Sequence, residues 1–393
     1  MRRFGASGTR LLLGAILVSA ALASSDPASG SVVSAPDGKA VVLVGPNTLS
    51  PRGSLAVTSL AGGAERPLTP PLSPGEKRYD FDPAWSPDGT RVAFARWTPH
   101  GLALMVVNED GSDLHRVAGF GRALGDYVED VVGTIRWSPD GARLAILLEN
   151  WGARIKFYGK PGIYVASAAG PGAHRVDPRG SCACKGRYQS LFGWTRDSSR
   201  VTYSNWTADE TIDSVQNEGP DHLKTISSDG SGRTNVLVAP LIVQASWAAD
   251  GSLIYDQHCG RACQLAVRAP GAKQSRALTH FKRRSYFEFA SRPQSSDFVY
   301  SHGRNVYEVT PTTGATRKIV TVPCLYKRCR PSGDSVYLVG LTGDGRYALI
   351  EHENYSYGGA GLARIRDYRL DLETGALEQL SLATADSAAV FLP

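Results

Sequence analysis

The chain has 393 residues, enough for two or three ordinary domains, and its 42% hydrophobic and 20% charged residues exclude a disordered polymer. With 42 Gly and 23 Pro, about one residue in six interrupts a helix, which excludes bundles and coiled coils. The formal charge of +6 falls to +3 once residues 1–23 are set aside, and 40 basic against 37 acidic residues leave no nucleic-acid footprint.

The first 23 residues read as an address. Arg2, Arg3 and Arg10 form a positive start, and Leu11–Ala23 is an apolar run of 13 residues. Ala21-Leu22-Ala23 is an A-x-A cleavage site. The run is short for a bilayer span, no second one follows, and no Cys stands near the cleavage site. The expectation is a signal peptide over 1–23, a linker over 24–31, and one exported domain over 32–393, secreted or periplasmic.

The remaining chain repeats one phrase. Trp85-Ser86-Pro87-Asp88-Gly89 returns as Trp137-Ser138-Pro139-Asp140-Gly141. It degrades to Trp194-Thr195-Arg196-Asp197 and then to Trp247-Ala248-Ala249-Asp250-Gly251. Weaker copies stand at Asp37, at Gln294 and at Asp344. The anchors 37, 88, 140, 197, 250, 294 and 344 are 51, 52, 57, 53, 44 and 50 residues apart. A fixed period of this size marks a repeat architecture.

The phrase is a turn. Pro87 presets φ for its second position, Asp88 tolerates the third, and Gly89 closes it. A second turn follows each anchor, at Gly62, Gly111, Gly170, Gly230, Gly271, Gly314 and Gly375. Short β-rich runs flank both turns. Each unit therefore reads as four antiparallel strands, a to d, with the anchor between a and b. Seven such units predict an all-β, seven-bladed β-propeller, with six or eight blades as the alternatives. The strand-like tail Ala388–Leu392 is expected to pair into blade one and close the ring.

The W-S-P-D-G phrase with its downstream Asp-Gly turns (Asp110-Gly111, Asp229-Gly230) resembles the WD-repeat-like propeller of the TolB family. Related propellers precede the peptidase domain of prolyl oligopeptidases. The resemblance covers residues 32–380 and implies a propeller fold. The chain departs from TolB in lacking a separate N-terminal α/β domain and in counting seven units rather than six. It carries no G-x-S-x-G elbow, so no peptidase activity is expected of it.

Antiparallel order places the a–b and c–d turns at one end of every blade and the b–c and d–a loops at the other. From anchor to second Gly the chain runs 25, 23, 30, 33, 21, 20 and 31 residues. The turn end is thus uniform, and the extra length falls in the b–c loops of blades three, four and seven. A rigid scaffold under variable loops is the usual arrangement of a binding face.

The candidate binding residues follow from that placement. Trp97, Trp151, Trp206, Tyr355 and Tyr357 come just after strand b of their blades. They serve either as a rim of stacking side chains for a protein, peptide or glycan, or as packing on the edge of their own blade. His258, His302 and His352 each stand eight residues beyond their anchors. They are read as loop-face polar residues, with a metal cluster as the competing role.

All six cysteines map to the loop end. Cys259–Cys263 and Cys324–Cys329 are expected as local disulfides, and Cys182–Cys184 is the least certain pair. No cofactor or metal is expected. The leading expectation is a monomeric, non-enzymatic binding propeller. The alternatives are a metal-assisted carbohydrate lyase or hydrolase, and a Tol-type envelope scaffold.

Overall fold

A computed structural model describes residues 39–44, 53–59, 65–125, 131–150, 155–178, 181–182, 187–209, 216–217, 221–239, 242–259, 262–281, 288–293, 295–324, 334–354, 364–380 and 390–391. Every regular element among them is a β-strand. No helix among them is long and apolar enough to cross a membrane.

The strands form seven four-stranded antiparallel blades in chain order. Blade two is Tyr79–Trp85, Arg91–Thr98, Gly101–Asn108 and His115–Gly121. Blade three is Val132–Trp137, Arg143–Asn150, Gly162–Ser167 and Ala173–Asp177. Blade four is Arg187–Trp194, Arg200–Asp209, Asp221–Ser227 and Thr234–Ala239. Blade five is Ala245–Trp247, Leu253–Cys259, Ala262–Arg268 and Arg276–Ala277. Blade six is Phe289–Ser291, Phe298–His302, Asn305–Val309 and Thr316–Thr321. Blade seven is Asp334–Leu341, Tyr347–Asn354, Arg364–Asp371 and Leu377–Gln379.

Blade one shows how the ring closes. Its strands b, c and d are Lys39–Val44, Ser54–Ser59 and Arg66–Pro67. Strand a comes from the other end of the chain: Val390 and Phe391 pair antiparallel with Val42 and Val41. The expected role of the tail is therefore observed. Closure leaves no free inner edge at blade one.

The repeated phrase builds the turn face. Ser86 Oγ donates to Asp88 Oδ1 at 2.5 Å, and the Thr90 amide donates to the same oxygen at 3.1 Å. The pattern recurs at Ser138–Asp140–Ala142, Thr195–Asp197–Ser199 and Thr342–Asp344–Arg346. These bonds hold the Asp88, Asp140 and Asp197 carboxyls below the ordinary carboxylate range, against the opposing effect of burial. In blade four Ser198 stands where the phrase has Gly, and it adopts the same left-handed backbone at φ 60. Its hydroxyl accepts the Asp140 amide of blade three at 3.0 Å, a bond Gly cannot make.

Among the described residues the hydrophobic core falls into six clusters, one at each junction from blades one–two to six–seven. Each blade buries its faces only against its neighbours, as stacked repeats do. The phrase tryptophans add a directed bond at the junction. Trp137 Nε1 donates to the Ala84 carbonyl at 2.8 Å, Trp194 Nε1 to the Arg136 carbonyl at 3.2 Å, and Trp247 Nε1 to Thr202 Oγ1 at 2.9 Å.

Candidate functional site

The two ends of the propeller differ in what their charged side chains do. At the turn end, arginines cross from blade to blade. Arg91 donates to the Gly141 carbonyl at 2.9 Å and lies over the Trp137 ring at 4.9 Å. Arg143 repeats this one blade on, reaching the Ser198 carbonyl at 2.7 Å and the Trp194 ring at 5.3 Å. Arg292 donates to the Gly345 carbonyl at 2.9 Å. Arg66, Arg268 and Arg276 make further links of this kind, to Glu109, Val236 and Pro311. These guanidinium groups are spent on holding the ring together.

The loop end is built up instead. Ala123–Gly125 and Ile155–Phe157 pair as a two-stranded ribbon that joins the blade two–three connection to the b–c loop of blade three. Ser181–Cys182 pairs with strand b of blade three and strand a of blade four, welding the two blades into one sheet. Gln216–Asn217 extends strand b of blade four. The blade three and four loops marked as long in the sequence thus carry structure of their own.

Beneath these loops lies a polar layer. Asp80 is fully buried in blade two between two arginines. Arg96 Nε donates to its Oδ1 at 2.6 Å, and Arg78 Nη1 to its Oδ2 at 2.7 Å. Arg96 stands eight residues past the Asp88 anchor, the register of the three histidines. In blade four the same register holds Asn205, whose amide meets that of Gln189 at 2.9 Å. Arg96 and Asn205 escaped the sequence reading because the plus-eight register was followed only for histidine. The signal was present: position plus eight is polar in five of the six units with a described strand b there, Leu148 being the exception.

Two buried acids fasten the connection between blades four and five. Asp256 Oδ1 accepts the Val243 and Gln244 amides at 2.7 and 2.8 Å, and Asp221 Oδ2 accepts the Ile242 amide at 2.6 Å. Burial, reinforced by the Asp221 charge, pushes the Asp256 carboxyl up to about 7 against the pull of those two amides. In blade seven, burial lifts the Asp367 carboxyl to about 6. At the blade three–four junction the Tyr203 hydroxyl accepts Arg233 Nε at 3.0 Å, and burial with the nearby Asp177 raises it to about 12.

The expected rim residues divide. Trp97 is 9% exposed and takes the edge-packing role rather than the rim role. Its ring stacks on Tyr79 at 5.2 Å, and its Nε1 donates to the Ala123 carbonyl at 2.7 Å, pinning the root of the ribbon. His352 is fully buried beside Tyr368, which corrects its placement on the loop face. His302 is half-buried and stacks on Phe281 at 4.0 Å; burial lowers its basicity. Trp151, Tyr355, Tyr357, Cys184 and Cys329 lie outside the described residues. So do the side chains of Trp206, His258, Cys182, Cys259 and Cys263, although their backbones are in strands.

Of the three histidines, His302 and His352 have side chains among the described residues. No three His, Cys, Asp or Glu among the described residues come together as a metal site. His302 and His352 pack against different aromatic partners, so no step is assigned to a metal.

No family model matches the chain, and no curated protein matches it. Solved structures do. A prolyl endopeptidase is 15% identical with a TM-score of 0.59, covering 95% of this chain and 52% of that one. A puromycin hydrolase is 14% identical with a TM-score of 0.55, covering 92% and 54%. An oligogalacturonate lyase in complex with manganese is 14% identical with a TM-score of 0.53, covering 81% and 82%. The chain spans about half the length of the prolyl endopeptidase and of the puromycin hydrolase. These likenesses, with the seven blades, define the class: the chain is a seven-bladed β-propeller.

Proposed function

We propose that this propeller is an exported recognition module that binds a protein, peptide or glycan through its b–c/d–a loop face. One observation carries the reading: arginines of the turn face are committed to blade-to-blade bonds, whereas the added ribbon and bridging strand sit on the loop face. A rigid ring with elaborated loops presents a preorganised surface. The local disulfides Cys259–Cys263 and Cys324–Cys329 belong to this reading. The TolB-like character rests on the repeated W-S-P-D-G phrase. Cross-linking of the exported protein tests it: partners should map to blade two to four loops, and capture through the turn face would refute it.

A second reading is an enzyme, a metal-assisted carbohydrate lyase or hydrolase. The structural neighbours favour it, since they are enzymes and the manganese-bound lyase matches over most of both chains. Fold likeness of this degree does not carry function across. His258, His302 and His352 are the residues to substitute. Loss of a metal-dependent activity in His258→Ala would establish the enzyme.

A further inference from the structure

The net charge of the chain is not evenly spread. Residues 151–187 contain seven Lys or Arg and one acid, leaving 36 of each in the rest of the chain. With the three arginines of residues 1–23 set aside, 33 basic and 36 acidic residues remain outside this segment, so the basic surplus of residues 24–393 lies in blade three and its link to blade four. The one acid, Asp177, is fully buried and faces Arg233 at 3.4 Å, so it does not screen the surface.

Within this segment stands Tyr158, 63% exposed and the most exposed large hydrophobic among the described residues. It directly follows the ribbon strand Ile155–Phe157, and its amide donates to the Arg122 carbonyl at 2.8 Å. Trp97 fixes the ribbon root from below. Three exposed cations lie on the backbone segments next to Tyr158. Arg122 is on the opposing ribbon strand side, and Lys160 is two residues on, its carbonyl accepting the Tyr164 hydroxyl at 2.7 Å. Arg175 reaches back along strand d to the Pro161 carbonyl at 3.4 Å. The backbone under the patch is anchored while its polar ends are exposed.

The geometry points to an acidic polysaccharide as the ligand of this blade three patch, with Tyr158 stacking on a sugar ring and Arg122, Lys160 and Arg175 pairing with its carboxylates. An exposed aromatic face offers flat contact area at small entropic cost, and guanidinium groups match carboxylates in a fork. A protein partner would need an apolar hot spot. The only other exposed large hydrophobics among the described residues are Val238 and Val243, in blade four and the blade four–five connection. The inference rests on the loop-face reading and specifies its ligand.

The test measures binding of the intact chain to polygalacturonate, to its fully methyl-esterified form, and to polyglutamate. Polygalacturonate alone should bind. Lys160→Glu should weaken it about tenfold, the worth of one charge-assisted contact, and Tyr158→Ala by a similar factor. Lys273→Glu, an exposed change next to the turn at Gly271, should leave affinity unaltered. Equal binding of the methyl ester or of polyglutamate would overturn the inference. If binding survives Tyr158→Ala and Lys160→Glu but is lost in Trp151→Ala, the patch is wrong and the loop-face reading stands. If it survives all three variants, both fail.

Discussion

Replacing Asp256 by Asn should make the protein more stable at alkaline pH. The carboxyl is buried, and its Oδ1 accepts two backbone amides that an Asn oxygen can accept equally well. In the folded chain it keeps its proton up to about pH 7, against 3.8 for an ordinary Asp. Between those values the folded state binds more protons than the unfolded state. The stabilisation is therefore complete below pH 3.8, declines as pH rises, and is lost above pH 7. At 1.36 kcal/mol per pH unit the interval is worth roughly 4 kcal/mol, with about half that surviving local relaxation as a working minimum. Chemical denaturation of wild type and Asp256→Asn at pH 4, 6 and 8 isolates this group with its coupling to Asp221, because the titrations of uncoupled groups cancel in the difference. The variant should gain about 2–4 kcal/mol between pH 4 and pH 8 relative to wild type. A difference that stays flat with pH would refute the buried, proton-holding carboxyl.

Three further outcomes follow from the fold. Trp137→Phe keeps one aromatic ring but removes the indole N–H that donates to Ala84 together with part of the buried indole, and should cost at least about 1 kcal/mol in denaturant titration; an unchanged midpoint would show the bond is not used. Deleting residues 386–393 removes the strand that pairs with Val41 and Val42, and should lower the thermal midpoint by several degrees; no change would end the closure argument. Elemental analysis and a thiol assay on protein exported by its host should find neither stoichiometric transition metal nor free thiol; metal with free thiols would support the enzyme reading.

The fold was legible because its turns are written in residue chemistry. Pro87, Asp88 and Gly89 announce a turn whatever surrounds them, and the period near 50 then dictates the blades. Even the degraded copy at Asp197 keeps its geometry, since Ser198 adopts the left-handed backbone that Gly would have supplied. The site was less legible. Trp97 and His352 have the right register for the loop end, but burial depends on which side of the blade a position faces and on what the next blade places against it. Trp97 is covered by the Ala123 connection, a contact 26 residues away that no local pattern reveals. Tyr158 was missed for the converse reason: it follows a ribbon strand whose partner, Ala123–Gly125, belongs to another blade's connection.

Hydrogen–deuterium exchange of the intact protein, with and without polygalacturonate, tests the central claim most directly. Added protection should be confined to the loop end, strongest over 122–125 and 155–160, with the turns at 86–91 and 138–143 unaltered. Protection centred on those turns would place binding on the wrong face and contradict the account.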